Sequence, residues 1–158
     1  MRYFIATPTP IPLYGVIKNE LSSFIEGNWS LGANLHLTHL FIGDAKEEDL
    51  KFRLQIPNEK IVIKGFEFFG DKILFLKATS PNIDSINKQL KELLPHLPRR
   101  DFKPHITLCR IKKIKDKDRL LEAIKKWEDK EFSCDFEVFL YNSTLTPKGP
   151  IYKKIFKY

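Results

Sequence analysis

The sequence reads HLTHLFIG over residues 36–43 and FKPHITLCRI over residues 102–111, and the fold turns on these two segments. Both are short apolar runs rich in β-branched and aromatic residues, so they read as strands, the first from Leu35 to Gly43 and the second from Phe102 to Ile111. Each contains the tripeptide His-x-Thr: His36-Leu37-Thr38 in one, His105-Ile106-Thr107 in the other. Four His and seven Thr placed at random in 158 residues give only about 0.2 such tripeptides, so two copies in strand context are a poor match to chance. Side chains alternate across a strand, and each tripeptide therefore sets an imidazole beside a hydroxyl on one face. A lone copy is ordinarily a pair of satisfied strand residues. Two copies indicate two similar halves facing one cleft.

The chain around these strands fits that reading. Arg2 to Ala6 is a strand stopped by the proline-rich TPTPIP, and Leu13 to Ile25 has helical apolar spacing closed by Gly27 and Asn28. Ala45 to Leu54 is a short charged helix or turn. Lys60 to Glu67 and Lys72 to Thr79 form a hairpin around Phe69-Gly70-Asp71. Pro81 to Leu94 and Asp118 to Trp127 are amphipathic helices. Phe132 to Ser143 and Ile151 to Phe156 are strands joined by a turn over residues 146–150. Hairpins mixed with interleaved helices indicate mostly antiparallel sheets with outer helices, an α+β architecture. With 42% hydrophobic residues and no linker, residues 1–158 read as a single domain.

Composition removes several classes. Aromatic content is too high and charge too mixed for a disordered chain. No apolar run approaches the roughly 20 residues that span a bilayer, and prolines at 8, 10 and 12 interrupt any secretory leader, so no membrane partner and a cytoplasmic location are expected. Cys109 and Cys134 are too few for a disulfide framework or a four-cysteine metal site. The 27 Lys and Arg against 20 Asp and Glu leave a net +7, which suits a polyanionic partner; lysine-rich, ion-paired surfaces of heat-adapted proteins have the same composition.

Two imidazoles across a cleft suit phosphodiester cleavage. Near neutral pH a neutral ring accepts a proton while a protonated ring donates one, and the Thr38 and Thr107 hydroxyls can bind non-bridging phosphate oxygens. The scheme needs neither metal nor cofactor. Arg99, Arg100 and Lys103 precede His105, and Arg110, Lys112 and Lys113 follow it, giving either a basic rim to steer a polyanion inward or a solvated strand edge guarded by charge. Arg100 and Arg110 are the candidate substrate-binding residues, although strict alternation places Arg110 on the face opposite His105. Tyr152 and Phe102 are candidates for stacking on a base or for core packing. His39 is read as a surface or partner-facing residue directed away from His36.

HLTHLFIG and RDFKPHITLCRIK resemble the paired His-x-Thr motifs of the two-histidine phosphoesterases, and most closely the RNA 2',3'-cyclic phosphodiesterase, or 2'-5' RNA ligase, family. RYFIA near the N-terminus and LYNSTLTPKGPIY at 140–152 resemble that family's first strand and its S-x-L-x-P-x-G-P-x-Y ending. The resemblance implies a bilobal fold with quasi-twofold symmetry around a central groove. It implies His36 as proton donor to the departing ribose oxygen, His105 as proton acceptor activating water, and Thr38 and Thr107 as phosphate holders. The expected substrates are RNA ends or 2',3'-cyclic nucleotides, opened to a 2'-phosphate by a protein working as a monomer. Two alternatives stand beside this: joining RNA ends through a 2'-5' linkage at the same site, and a non-catalytic module that binds RNA ends or nucleotides. The chain departs from the family at His39, where an apolar residue is usual, and in a short segment between Gly43 and Lys60 that bears on one wall of the groove.

Overall fold

Arg2–Pro8 forms β1, whose alternating side chains serve both faces of a sheet: Tyr3 and Ile5 enter the main core, while Phe4 and Ala6 form a smaller cluster with Tyr141 on the other side. The computed structural model describes residues 2–158. After β1 come α1 (Tyr14–Leu21), β2 (Ile25–Trp29), a 3-10 turn at Gly32–Asn34, β3 (His36–Gly43), a second 3-10 turn at Glu47–Leu50, and the hairpin β4 (Lys60–Phe69) and β5 (Ile73–Thr79). Then follow α2 (Ser85–Leu93), β6 (His105–Ile114), α3 (Lys117–Trp127), β7 (Glu131–Asp135), β8 (Phe139–Thr146) and β9 (Gly149–Lys157).

The strands run β7-β4-β5-β6-β3-β1-β8-β9, with β2 also on β6, and all these pairings are antiparallel. The two expected sheets are joined into one path by a single residue pair, Leu37 with Ile106. Both side chains are fully buried in the main core, which also takes Ile17 and Leu21 of α1, Ile86 and Leu90 of α2, and Leu120 and Ile124 of α3. Burial of each such aliphatic side chain is worth about 1.5–3 kcal/mol. The helices cover this side of the curved sheet and leave the opposite face of β3 and β6 open.

Several boundaries differ from the sequence reading: the second motif strand runs from His105 to Ile114, not from Phe102 to Ile111, and two further differences change the topology. The first helix ends at Leu21, not Ile25, and the chain returns immediately as β2. Gly27 does not stop a helix: it pairs with Ile111, and a Cβ there would lie 2.4 Å from the Arg110 carbonyl oxygen and 2.8 Å from Cys109 Sγ. Glycine is needed for this close approach of two strands. Phe132 to Ser143 is also two strands, not one. The chain breaks between Asp135 and Phe139, burying Phe136 and Val138, and carries β7 and β8 to distant parts of the sheet. Apolar periodicity hides such a break because the connecting residues are themselves core.

Candidate active site

The Leu37–Ile106 pair sets the geometry of the groove. Continuing its antiparallel register by one residue in each direction places Thr38 across from His105 and His36 across from Thr107. All four lie on the face opposite the buried pair and are half-buried. The same local device fixes both rings. His36 Nδ1–H donates to the Asn34 carbonyl at 2.6 Å, and His105 Nδ1–H donates to the Lys103 carbonyl at 2.6 Å. Each bond goes to the residue two positions earlier and leaves Nε2 for the groove, as a lone pair in the neutral ring and as an acid in the cation.

Each motif strand then bulges at the same place. Ile5 pairs with Leu40 and Ala6 with Thr38, so His39 is the extra residue on β3. Leu74 pairs with Cys109 and Phe75 with Thr107, so Leu108 is the extra residue on β6. The bulge shifts the alternation that follows it. Leu108 and Cys109 are both buried, and Arg110 emerges on the side of His105 and Thr107. Its positive charge acts on Tyr152, opposing the upward pull of burial on that phenol, and the Tyr152 ring meets His36 edge-on at 5.2 Å. Strict alternation, which separated Arg110 from His105, is thus overturned by one extra residue. The β6 bulge is secured by Ser30, whose N–H donates to the Leu108 carbonyl and whose hydroxyl donates to that of Thr107.

By the same shift Phe41 emerges beside His36 and Thr38, 68% exposed, with its ring 6.1 Å from that of Phe4. The sequence reading missed Phe41. Its signal is its place: Phe41 and Arg110 are both the sixth residue counted from their histidines.

Surroundings differ between the halves. His36 packs against Phe4 and Tyr152, and burial is the main cause that pulls its pKa below the ordinary histidine value; the Asn34 carbonyl opposes this and the nearby His105 adds to it. His105 lies edge-on to Phe69 and Phe75, with the Lys103 ammonium over the Phe69 ring. Lys77, directly paired with His105, adds an exposed cation on that side.

Other candidates fall elsewhere. Arg100 is exposed in the coil before β6, with its carbonyl held by Lys91 of α2, and is not on either histidine strand. Phe102 packs near His39 rather than in the groove. His39 itself is not a surface residue. It is 1% exposed, stacked on Phe136 and hydrogen-bonded through Nε2 to Thr7 Oγ1 at 2.8 Å, and burial lowers its pKa to about 3. Alternation from buried Leu37 carries it to the core face, the place Leu108 takes two residues after Ile106 in the other half. The segment after Gly43 packs on the core side, with Leu50 buried and Gln55 bonded to Gln89 of α2. Among the described residues, no cluster of three or more His, Cys, Asp or Glu is disposed to hold a metal ion, and no helix is long and apolar enough to cross a membrane.

The chain belongs to the 2'-5' RNA ligase superfamily, whose family model matches residues 31–145, both His-x-Thr strands included. Within it, the chain is 35% identical to the RNA 2',3'-cyclic phosphodiesterase of Methanocaldococcus jannaschii over 98% of both proteins. It is 32% identical to the protein of the same description from Thermotoga maritima, over 99% of this chain and 94% of that one. Among solved structures, E. coli LigT complexed with 3'-AMP superposes with a TM-score of 0.71 at 19% identity, covering 99% of this chain and 96% of that one. TT0787 of Thermus thermophilus superposes with a TM-score of 0.70 at 23% identity, covering 100% of this chain and 97% of that one. These likenesses establish the bilobal α+β fold.

Proposed function

We propose that the protein hydrolyses 2',3'-cyclic phosphate ends of RNA to 2'-phosphate ends by general acid and base catalysis. The observation that carries this reading is the pair of imidazoles, each with Nδ1 committed to a backbone carbonyl and Nε2 left to one groove, beside the two threonines. Relatives described as RNA 2',3'-cyclic phosphodiesterases over nearly the whole chain support the substrate.

Water gives its proton to His105 Nε2 as its oxygen bonds to phosphorus. The bond from phosphorus to the ribose 3' oxygen breaks, and that oxygen takes the proton from His36 Nε2. The 2' ester survives. Thr38 and Thr107 donate to the non-bridging oxygens, and Arg110 balances their charge. Burial of His36 makes its imidazolium a stronger acid, which suits protonation of an alkoxide; the bound phosphate anion helps keep the proton on the ring until transfer. Phe41 offers an exposed ring for the terminal base. Solvent exchange resets the two protons. The protein acts as a monomer and a single domain in this scheme, with no cofactor.

The test is a short RNA ending in a 2',3'-cyclic phosphate, incubated with the protein in EDTA and resolved into cyclic, 2'-phosphate and 3'-phosphate species. Conversion to the 2'-phosphate is expected. A 3'-phosphate product reverses the choice of leaving oxygen, and no conversion removes the hydrolytic reading.

A further inference from the structure

Asn34 bonds at both of its ends. Its carbonyl accepts His36 Nδ1–H at 2.6 Å, and its side-chain amide donates to the Pro150 carbonyl at 3.0 Å, 116 residues along the chain. Pro150 is the second residue of the return strand of the β8–β9 hairpin, and two residues later Tyr152 places its ring edge-on to His36, with an interplanar angle of 89°. A closed circuit results: His36 to Asn34, Asn34 to Pro150, along the strand to Tyr152, and back to His36. Thr146 Oγ1 donates to the Gly149 carbonyl at 2.6 Å and braces the hairpin tip just before this attachment. Among the described residues, the other half has no matching clasp. His105 is held by the Lys103 carbonyl, but Lys103 sends its ammonium over Phe69.

We propose that Asn34 is a positioning residue: it clasps the C-terminal hairpin to the groove and so fixes the orientation and dryness of His36, making one histidine of the pair dependent on a distant segment. The inference rests on the phosphodiesterase reading only for what His36 does, not for how His36 is held. Asparagine suits the task because one side chain carries a donor for Pro150 while its own backbone serves the imidazole, and its place after Gly32 and Ala33 in a 3-10 turn holds both groups at the groove edge. The groups that face His36 with charge or a titratable proton are His105 from β6 and Tyr152 from β9, with Arg110 beside Tyr152.

The experiment is an NMR titration of the histidine rings in the intact protein and in Asn34→Ala, alongside steady-state turnover of the cyclic-phosphate RNA. Release of the hairpin lets water reach His36, so its pKa is expected to rise toward the ordinary histidine value. At the same time kcat is expected to fall about tenfold while KM changes less than twofold, the signature of a misplaced acid. Asn34→Asp, which keeps the shape and loses the donor, is expected to lose kcat as well, where a space-filling role would leave it intact. An unchanged His36 titration together with unchanged kcat in Asn34→Ala overturns the proposal. If the parent protein does not turn the RNA over, the functional reading fails, and the titration still decides whether the clasp governs His36.

Discussion

The β3 and β6 halves use one backbone design for two different imidazoles. In each, the ring is tied to the carbonyl two residues earlier, the fourth motif residue is absorbed by a bulge, and the sixth returns to the groove. What differs is the lining. Phe4, Phe41, Tyr141 and Tyr152 surround the β3 side, whereas β6 carries Arg110 and is flanked by Lys77 and Lys103. Symmetry supplies two imidazoles held alike, and the side chains around them differ: rings alone pack on His36, whereas rings and cations together flank His105.

The strongest way to break this comparison is at the rings. His36→Ala and His105→Ala are each expected to lower kcat by about 10²- to 10⁴-fold, and the double variant by little more, because the two act in one step. Near-parental turnover in either single variant removes the proton assignment. The sixth positions come next. Arg110→Ala is expected to lower kcat/KM by about 10- to 100-fold and to flatten its salt dependence, with Arg100→Ala changing it less than threefold. A larger loss at Arg100 returns the phosphate contact to the coil before β6. Phe41→Ala removes a stacking surface and is expected to raise KM about 5- to 20-fold with kcat nearly constant, measured on RNA ends with a purine at the terminus.

Two smaller effects concern pH. On the proposed mechanism, lowering the pKa of either groove imidazole pulls the optimum of kcat/KM acidward, so Tyr152→Ala, which wets His36, is expected to move the optimum upward. An acidward movement contradicts burial as the dominant cause. His39 makes the folded state depend on acid in a different way. The native protein holds it neutral down to about pH 3, while the unfolded chain takes up a proton near pH 6.5. Its contribution is therefore fully present above pH 6.5 and is lost as pH falls toward 3, at up to about 1.4 kcal/mol per pH unit. Melting curves of a Thr7→Val, His39→Leu double variant are expected to show a shallower decline across that range, since neither a buried imidazole nor an unpaired hydroxyl remains.

The duplicated His-x-Thr strands, the existence of α2 and α3 and the central hairpin were legible in the sequence because periodicity and motif spacing are local properties of the chain. The same locality explains the failures. An extra residue in a ladder exists only relative to a partner strand, so nothing in LTHLF or TLCRI announces that Phe41 and Arg110 turn to the groove, and the cover that buries His39, Phe136, lies almost 100 residues away. Gly27 looked like a helix stop because its reason for being glycine, the β6 backbone against it, is more than 80 residues away.

By itself the sequence determined two related halves, the strands that carry the imidazoles, and which faces of those strands are apolar. Tertiary structure decided the rest: one pair, Leu37 with Ile106, joins the halves; matching bulges select Phe41 and Arg110; and a hairpin from the C-terminal end reaches back to Asn34. The physical reason is that side-chain alternation is written along the chain, whereas register, bulges and the dryness of a ring are created only when distant strands meet.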